Sequence, residues 1–341
     1  MKLIIQIPCL NEEATLPVTL AALPRTLSGV DLVEVLVIDD GSTDRTVEVA
    51  RRMGVDHLVR FPRHQGLASA FRAGLEASLM LGADIIVNTD ADNQYDARDL
   101  AALLRPILEK KADMVVGDRQ VQGLRHFSAL KKLLHRIGDR VMERLSGIEL
   151  LDSTSGFRAY SREAALRLNV FSKFTYTLET LIQAGKKNLV VAHVPVRVNE
   201  KTRESRLFPN LWLYLKRSVS TMVRIYAMYE PLKAFSYMGA VVGGVGAVLL
   251  MRFLYYFLTA GAGPVGKLQS LLVGATLSAM GLMLVLIGVV SDLIAANRHL
   301  TEDIQYRIRR MELENVRRGG ERIESLAPKA AGPTAVAGRK P

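Results

Sequence analysis

Four aspartates stand in two tight groups, Asp39-Asp40 within DDGSTD and Asp90-Ala91-Asp92 within DADNQ. Carboxylates this close repel one another unless a cation or hydrogen-bond donors intervene. A hard divalent cation is the natural counterion. Mg²⁺ takes one or two carboxylates and completes its shell with substrate phosphate and water. The chemistry implied is the handling of a diphosphate-bearing substrate. Each group has a purely structural reading as well. Ser42 or Thr43 can cap a helix with Asp44 in its first turn, and Asp90 to Asp92 can be a solvated loop.

The elements that must position these residues decide between the readings. Apolar runs at residues 3–8, 32–39, 57–60, 84–90 and 113–117 have the length and composition of strands. Between them, residues 12–23, 43–53, 66–81 and 97–109 carry helical spacing. This βαβα order predicts an α/β fold with an open, mostly parallel Rossmann-like sheet. In such sheets ligands bind beyond the carboxyl ends of the strands. Pro8-Cys9-Leu10-Asn11-Glu12-Glu13, the Asp39 group and the Asp90 group all fall at strand ends. Two such groups at ends of one sheet argue for chemistry over accident. His64 and His126 fall in loops and are expected to be solvated, and His193 reads as a strand residue.

Composition adds a second part to the molecule. Of 341 residues 49% are hydrophobic, yet 23% are charged, with 45 Lys and Arg against 34 Asp and Glu. Segregation into a soluble and a membrane part resolves the conflict. Residues 234–251 carry no charge, and after Arg252 and Lys267 neither do residues 269–291. A bilayer core of ~30 Å needs ~20 helical residues, which predicts transmembrane helices at 235–258 and 270–294 joined by loop 259–269. Gly239, Gly243, Gly244 and Gly246 suit close helix packing in lipid. Lys216, Arg217, Arg224 and Lys233 precede the pair, and Arg298, Arg307, Arg309 and Arg310 follow it. By the positive-inside rule both termini are expected on the cytoplasmic side of the inner membrane. Residues 208–233 read as amphipathic juxtamembrane helices, residues 1–207 as the soluble domain, and 297–341 as a cytoplasmic tail, helical and then disordered. The start of the chain reads as a strand and not as a signal peptide. The single Cys9 excludes a disulfide framework. The formal charge of +11 comes with only 6% aromatics and no nucleic-acid motif, so no nucleic-acid partner is expected.

The set PCLNEE, DDGSTD, DADNQ and SGFR resembles family 2 glycosyltransferases of the GT-A fold. More narrowly, with the two apolar segments, it is similar to the dolichyl-phosphate mannose synthase branch and its bacterial polyprenyl-phosphate relatives. The resemblance implies that Pro8, Asn11, Glu12, Asp39 and Asp40 line the nucleotide. It implies that Asp90, Asp92 and Gln94 hold Mg²⁺ or Mn²⁺. Arg119 then lies near the acceptor phosphate, joined by Lys131 or, as preferred here, Lys132, and by Ser155. Asp152 is implied as a base or sugar ligand, with a structural role left open. Arg203 and Arg206 resemble the basic loop that closes over the pyrophosphate. Asp92, Asp152 and Arg203 carry the catalytic expectation. The implied reaction is inverting transfer of a hexose-type sugar from a UDP- or GDP-linked donor to a polyprenyl phosphate, undecaprenyl or dolichyl. Self-association as a homo-oligomer is compatible with it.

Three rivals are separable. A processive polysaccharide synthase carries Gln-x-x-Arg-Trp, and the sole Trp212 follows Leu211. A related enzyme acting on another membrane-associated acceptor in envelope polysaccharide synthesis would share every motif. A non-catalytic scaffold of the same fold would have no need of Asp90, Asp92, Gln94 and Arg203.

Overall fold

The computed structural model describes residues 1–120, 129–170, 176–199, 229–260 and 268–319, with Ser220, Val223, Arg224, Tyr226 and Ala227. It divides into two compact units, residues 1–209 with 309–341, and residues 210–308.

The first unit is built on a sheet that has seven strands among the described residues, in the order β3-β2-β1-β4-β6-β5-β7. The strands are β1 (Lys2–Cys9), β2 (Leu32–Asp39), β3 (His57–Arg60), β4 (Ile85–Asn88), β5 (Met114–Asp118), β6 (Arg158–Ser161) and β7 (Val191–Pro195). Helices α1 (Leu16–Ala22), α2 (Thr46–Arg52), α3 (Leu67–Met80) and α4 (Leu100–Leu108) alternate with the first five strands. Further on come α5 (Ala129–Ser146), α6 (Arg162–Arg167) and α7 (Thr177–Lys186). The expected parallel order holds for β3, β2, β1 and β4. Their apolar runs are buried on both faces: Leu3, Ile4, Ile5 and Ile7 have no exposed surface.

One strand departs from the parallel pattern. β6 inserts antiparallel between β4 and β5, pairing Val87 with Ala159 on one side and Val115 with Ala159 on the other. It is only four residues long and begins with an arginine, so no apolar run announces it. The insertion carries the SGFR segment to the carboxyl ends of β4 and β5. Helix α3 covers the sheet with Ala68, Phe71, Leu75 and Leu79. α6 is capped by Ser161, whose hydroxyl accepts from the Ala164 N–H at 3.1 Å.

The second unit contains α8 (Pro231–Ala260) and most of α9 (Leu268–Gly319). Both are long and apolar enough to cross a membrane. α9 continues unbroken past the apolar stretch into the charged residues of the tail. The two helices meet through glycine. A Cβ on Gly281 would lie 2.6 Å from Gly243 N and Cα and 2.7 Å from the Gly239 carbonyl. Gly246 fits as closely against Ser278 and Gly274. Apolar side chains gain nothing by leaving lipid for each other, so close backbone packing must hold such a pair. At the base of the pair, Arg298 lies 4.5 Å over the Tyr229 ring and donates to its hydroxyl at 3.0 Å.

Overpacking a close contact costs about 1–3 kcal/mol. Gly281→Val is therefore expected to lower the temperature at which helical signal is lost in detergent micelles. Gly244→Ala, at a glycine with no neighbour within 4 Å, should leave that transition in place.

Candidate active site

The polar strand ends separate into an outer and a central group. Among the described residues no group of three or more His, Cys, Asp or Glu side chains is arranged to hold a metal. The four aspartates are thus not one cluster, because hydrogen-bond donors hold the first two. Asp39 is fully buried, accepts from the Ser42 N–H at 3.1 Å and lies 3.5 Å from Arg60 Nε. Asp40 accepts from the N–H groups of Gln65 and Gly66 at 2.7 and 2.9 Å, and His64 Nδ1 lies 2.8 Å from its Oδ2. It pins the loop before α3. Gly41, at φ +75°, permits this, since a Cβ there would meet the Arg63 and His64 backbone at 2.6 Å. His64 therefore stands beside Asp40, a contact that its loop position in the sequence did not announce.

The first strand end interlocks with the same turn. Asn11, at φ 55°, takes the Ser42 hydroxyl on its N–H at 2.9 Å and accepts from the Thr43 N–H at 2.9 Å. The Glu12 N–H donates to Thr46 Oγ1, and Glu12 accepts from the Thr15 hydroxyl at 2.6 Å. Pro8 is buried near the end of β1, opposite Ile38.

The central group begins just after β4. Burial, and then the neighbouring Asp92 charge, push the Asp90 carboxyl up to about 7. Glu12 adds to this, while Arg119 and Arg158 oppose it. A carboxyl held high by burial and a like charge is one that a cation would bring back to its ionised form. Asp90, Asp92 and the Gln94 amide oxygen are hard donors that suit Mg²⁺ or Mn²⁺. Asp92 also accepts from the Gln94 N–H at 3.0 Å, which folds the loop on itself.

Gly156 forms the wall behind Asp90. A Cβ there would stand 3.0 Å from both Asp90 Oδ2 and the Tyr176 hydroxyl. The Gly156 peptide is clamped on both sides. Its N–H donates to the Tyr95 hydroxyl at 3.0 Å, and its carbonyl accepts from Asn88 Nδ2 at 2.9 Å. Asn88 also donates to the Tyr176 hydroxyl at 2.8 Å and accepts from Gln6 Nε2 at 3.0 Å. Burial pushes the Tyr95 phenol up to about 12 and that of Tyr176 up as well, so both stay neutral. Asn88 and Tyr176 carry no motif, and only an amide at the end of an apolar strand hinted at the first.

Arg119, just past β5 and partly exposed, forms an ion pair with the buried Asp152. Arg119 Nε donates to Asp152 Oδ2 at 2.7 Å and Nη2 to Oδ1 at 2.9 Å, with Nη2 also reaching Thr154 Oγ1. Asp152 has no exposed surface, and both its oxygens are engaged. Ser153 is tied to Asp139 of α5 through its hydroxyl at 2.6 Å. Ser155 is fully buried, and its carbonyl accepts from Arg158 Nε at 2.7 Å. Arg158, also fully buried, reaches Ser153 O, Thr177 O and Thr180 Oγ1 at 2.8–2.9 Å. His193 lies on β7 against Val116, its Nε2 on the Glu149 carbonyl, and burial pushes it down. The Lys132 side chain, Arg203 and Arg206 lie outside the described residues, as do His126 and most of 208–233.

A family model described as glycosyl transferase family 2 matches residues 4–168. A dolichyl-phosphate hexose transferase of Haloferax volcanii is 30% identical over 200 residues, 58% of this chain and 83% of the relative. An undecaprenyl-phosphate mannosyltransferase of Micrococcus luteus is 28% identical over 211 residues, 59% of this chain and 85% of the relative. Among solved structures, glucosyl-3-phosphoglycerate synthase of Mycobacterium tuberculosis, in complex with Mn²⁺, UDP-glucose and phosphoglyceric acid, aligns with a TM-score of 0.53. That alignment is at 22% identity and covers 66% of this chain and 80% of the other. The likeness is one of fold: a GT-A type sheet.

The wall behind Asp90 leads to a test. Gly156→Ala should displace the Asp90 carboxylate by a few tenths of an ångström and weaken Mn²⁺ binding, read by Mn²⁺ paramagnetic resonance, in a protein that still folds. Outer partners of metal ligands are typically worth about 10- to 100-fold in affinity.

Proposed function

Because the chain belongs to glycosyl transferase family 2, we propose that it moves a hexose-type sugar from a nucleoside diphosphate donor to a polyprenyl phosphate, with inversion. The observation that carries this is the pairing, at the carboxyl ends of β4 and β5, of an oxygen-donor loop (Asp90, Asp92, Gln94) with a partly buried guanidinium. That guanidinium, Arg119, is held by its own carboxylate, Asp152. One end is suited to a diphosphate and the other to a phosphate. The named relatives that act on dolichyl and undecaprenyl phosphate support the acceptor class. The fold neighbour with Mn²⁺ and UDP-glucose supports the donor class.

Asp90, Asp92 and Gln94 would hold a divalent cation, which supplies charge neutralisation at the departing diphosphate. Arg203 and Arg206 would close over the same oxygens, where arginine makes bidentate phosphate contacts. Pro8, Asn11, Glu12 and Asp39 would line the nucleotide. Asp40 contributes through the loop it pins. At the acceptor end, a phosphate monoester with its second pKa near ~6 is already largely dianionic at neutral pH. It needs positioning near the sugar carbon more than a base. Asp152, with both oxygens on Arg119, fits the role of holding that cation and not that of taking a proton. Lys132 and the buried Ser155 would complete this end. Attack in line on an α-linked donor gives a β-linked product.

The membrane part fits the acceptor. Two apolar helices anchor the enzyme where polyprenyl phosphate resides. The basic flanks support a cytoplasmic face for the catalytic domain and both termini. Partition at 1–207, 208–233, 234–296 and 297–341 remains our domain assignment, with self-association compatible with it.

The test is a panel of radiolabelled UDP-glucose, UDP-N-acetylglucosamine, UDP-galacturonate and GDP-mannose with undecaprenyl phosphate in vesicles. One donor should give Mn²⁺- or Mg²⁺-dependent transfer to lipid, abolished in Asp92→Ala, which still inserts in membranes. Label passing only to other envelope acceptors would move the assignment. Neither transfer nor nucleotide binding would favour the scaffold reading.

A further inference from the structure

The loop that carries Gln94 is held from outside as well as by its own Asp92. Asn93 stands at φ 54°, in the left-handed region that side chains other than glycine adopt at a cost. The three carbonyls that follow this twist, those of Asn93, Gln94 and Tyr95, would be unpaired by the loop alone. One residue over a hundred positions later meets all three. The Asn199 N–H donates to the Gln94 carbonyl at 2.9 Å. Its Nδ2 donates to the Asn93 carbonyl at 2.9 Å and approaches that of Tyr95 at 3.4 Å.

The chain leading to Asn199 is fastened to the same loop. Val198 and Tyr95 form an antiparallel bridge. The Arg197 N–H donates to Asp99 Oδ2 at 2.6 Å, its Nε donates to Asp99 Oδ1 at 3.0 Å, and its carbonyl accepts from the Asp96 N–H at 3.3 Å. Asn199 is therefore delivered to the loop by a fixed strap. Gln94 is gripped at both its backbone groups, by Asp92 on the N–H and by Asn199 on the carbonyl. These two bonds fix the backbone from which its side chain departs.

We propose that Asn199 is a positioning residue of the metal loop: it fixes the backbone from which Gln94 and Asp92 present their oxygens. Short reach and two amide hydrogens are what the position requires. Alanine and serine keep the backbone N–H bond to the Gln94 carbonyl but lose the Nδ2 bonds to the Asn93 and Tyr95 carbonyls, for which serine offers only one hydrogen on a shorter arm. This inference rests on the reading that Asp90, Asp92 and Gln94 hold the divalent cation.

The experiment measures Mn²⁺ binding by paramagnetic resonance, alone and with UDP or GDP, in the full-length detergent-solubilised wild type, Asn199→Ala and Asn199→Ser. Melting temperature and the Mn²⁺ dependence of turnover are recorded beside it. Both variants should fold and bind Mn²⁺ about 10- to 100-fold more weakly. Turnover should recover toward wild type at saturating Mn²⁺, which a loss of folded protein would not allow. Wild-type Mn²⁺ affinity in either folded variant overturns the proposal. So does collapse of the thermal transition in both, which would make Asn199 a residue of stability alone. Absence of Mn²⁺ binding in the wild type, with either nucleotide, is a separate result: it removes the metal reading itself.

Discussion

A guanidinium with no exposed surface stands at the centre of the catalytic domain. Burying an ion without partners costs many kcal/mol, so Arg158 must be met by fixed acceptors. It is met by the carbonyls of Ser153, Ser155 and Thr177 and by the Thr180 hydroxyl. Three of these are backbone groups, from segment 153–155 and from the first residue of α7. The segment 153–155 is thereby tied to the start of α7, and everything it carries is placed with it.

Two different parts of the site hang on that segment. On one side Asp152 takes Arg119 in a two-pronged pair. On the other, Gly156 presents a bare Cα to the Asp90 carboxylate, with Tyr95, Asn88 and Tyr176 clamping its peptide. The antiparallel β6 is what brings the segment between β4 and β5. The wall behind Asp90 and the Arg119–Asp152 pair therefore share one structural support. This explains why a polar layer is tolerated in the core: Gln6, Asn88, Tyr176 and Arg158 each bond to groups that shape the site. The Asp39–Asp40 turn is a separate device. Its carboxylates face N–H groups, His64 and Arg60.

Much of this was legible in the sequence, for a physical reason. Strands β1, β2 and β4 are apolar runs because both faces of a parallel sheet are covered, and their polar ends are conspicuous by contrast. The two apolar helices are legible from length and absence of charge. What was not legible is pairing at long range. Nothing in the spacing joins Arg119 to Asp152, His64 to Asp40, or Asn199 to the loop at 93–95. β6 was missed because its first residue is a buried arginine, a choice that burial rules disfavour. The sequence left Asp152 open between base, ligand and support. Its two bonds to Arg119 could not be read there, because they depend on the fold and not on residue type. The tail was read as helical from 297, and α9 in fact runs through that point without interruption.

The most direct measurement is on Arg158→Lys, which keeps the charge but loses the fork that reaches four acceptors. Breaking a buried charged network costs about 3–5 kcal/mol, or roughly 10 °C in melting temperature for a domain of this size. If segment 152–156 supports both ends of the site, the folded variant at low temperature binds Mn²⁺ with UDP or GDP more weakly and also shows a raised KM for undecaprenyl phosphate. Wild-type values for both in a variant with an unchanged melting temperature would contradict the shared support.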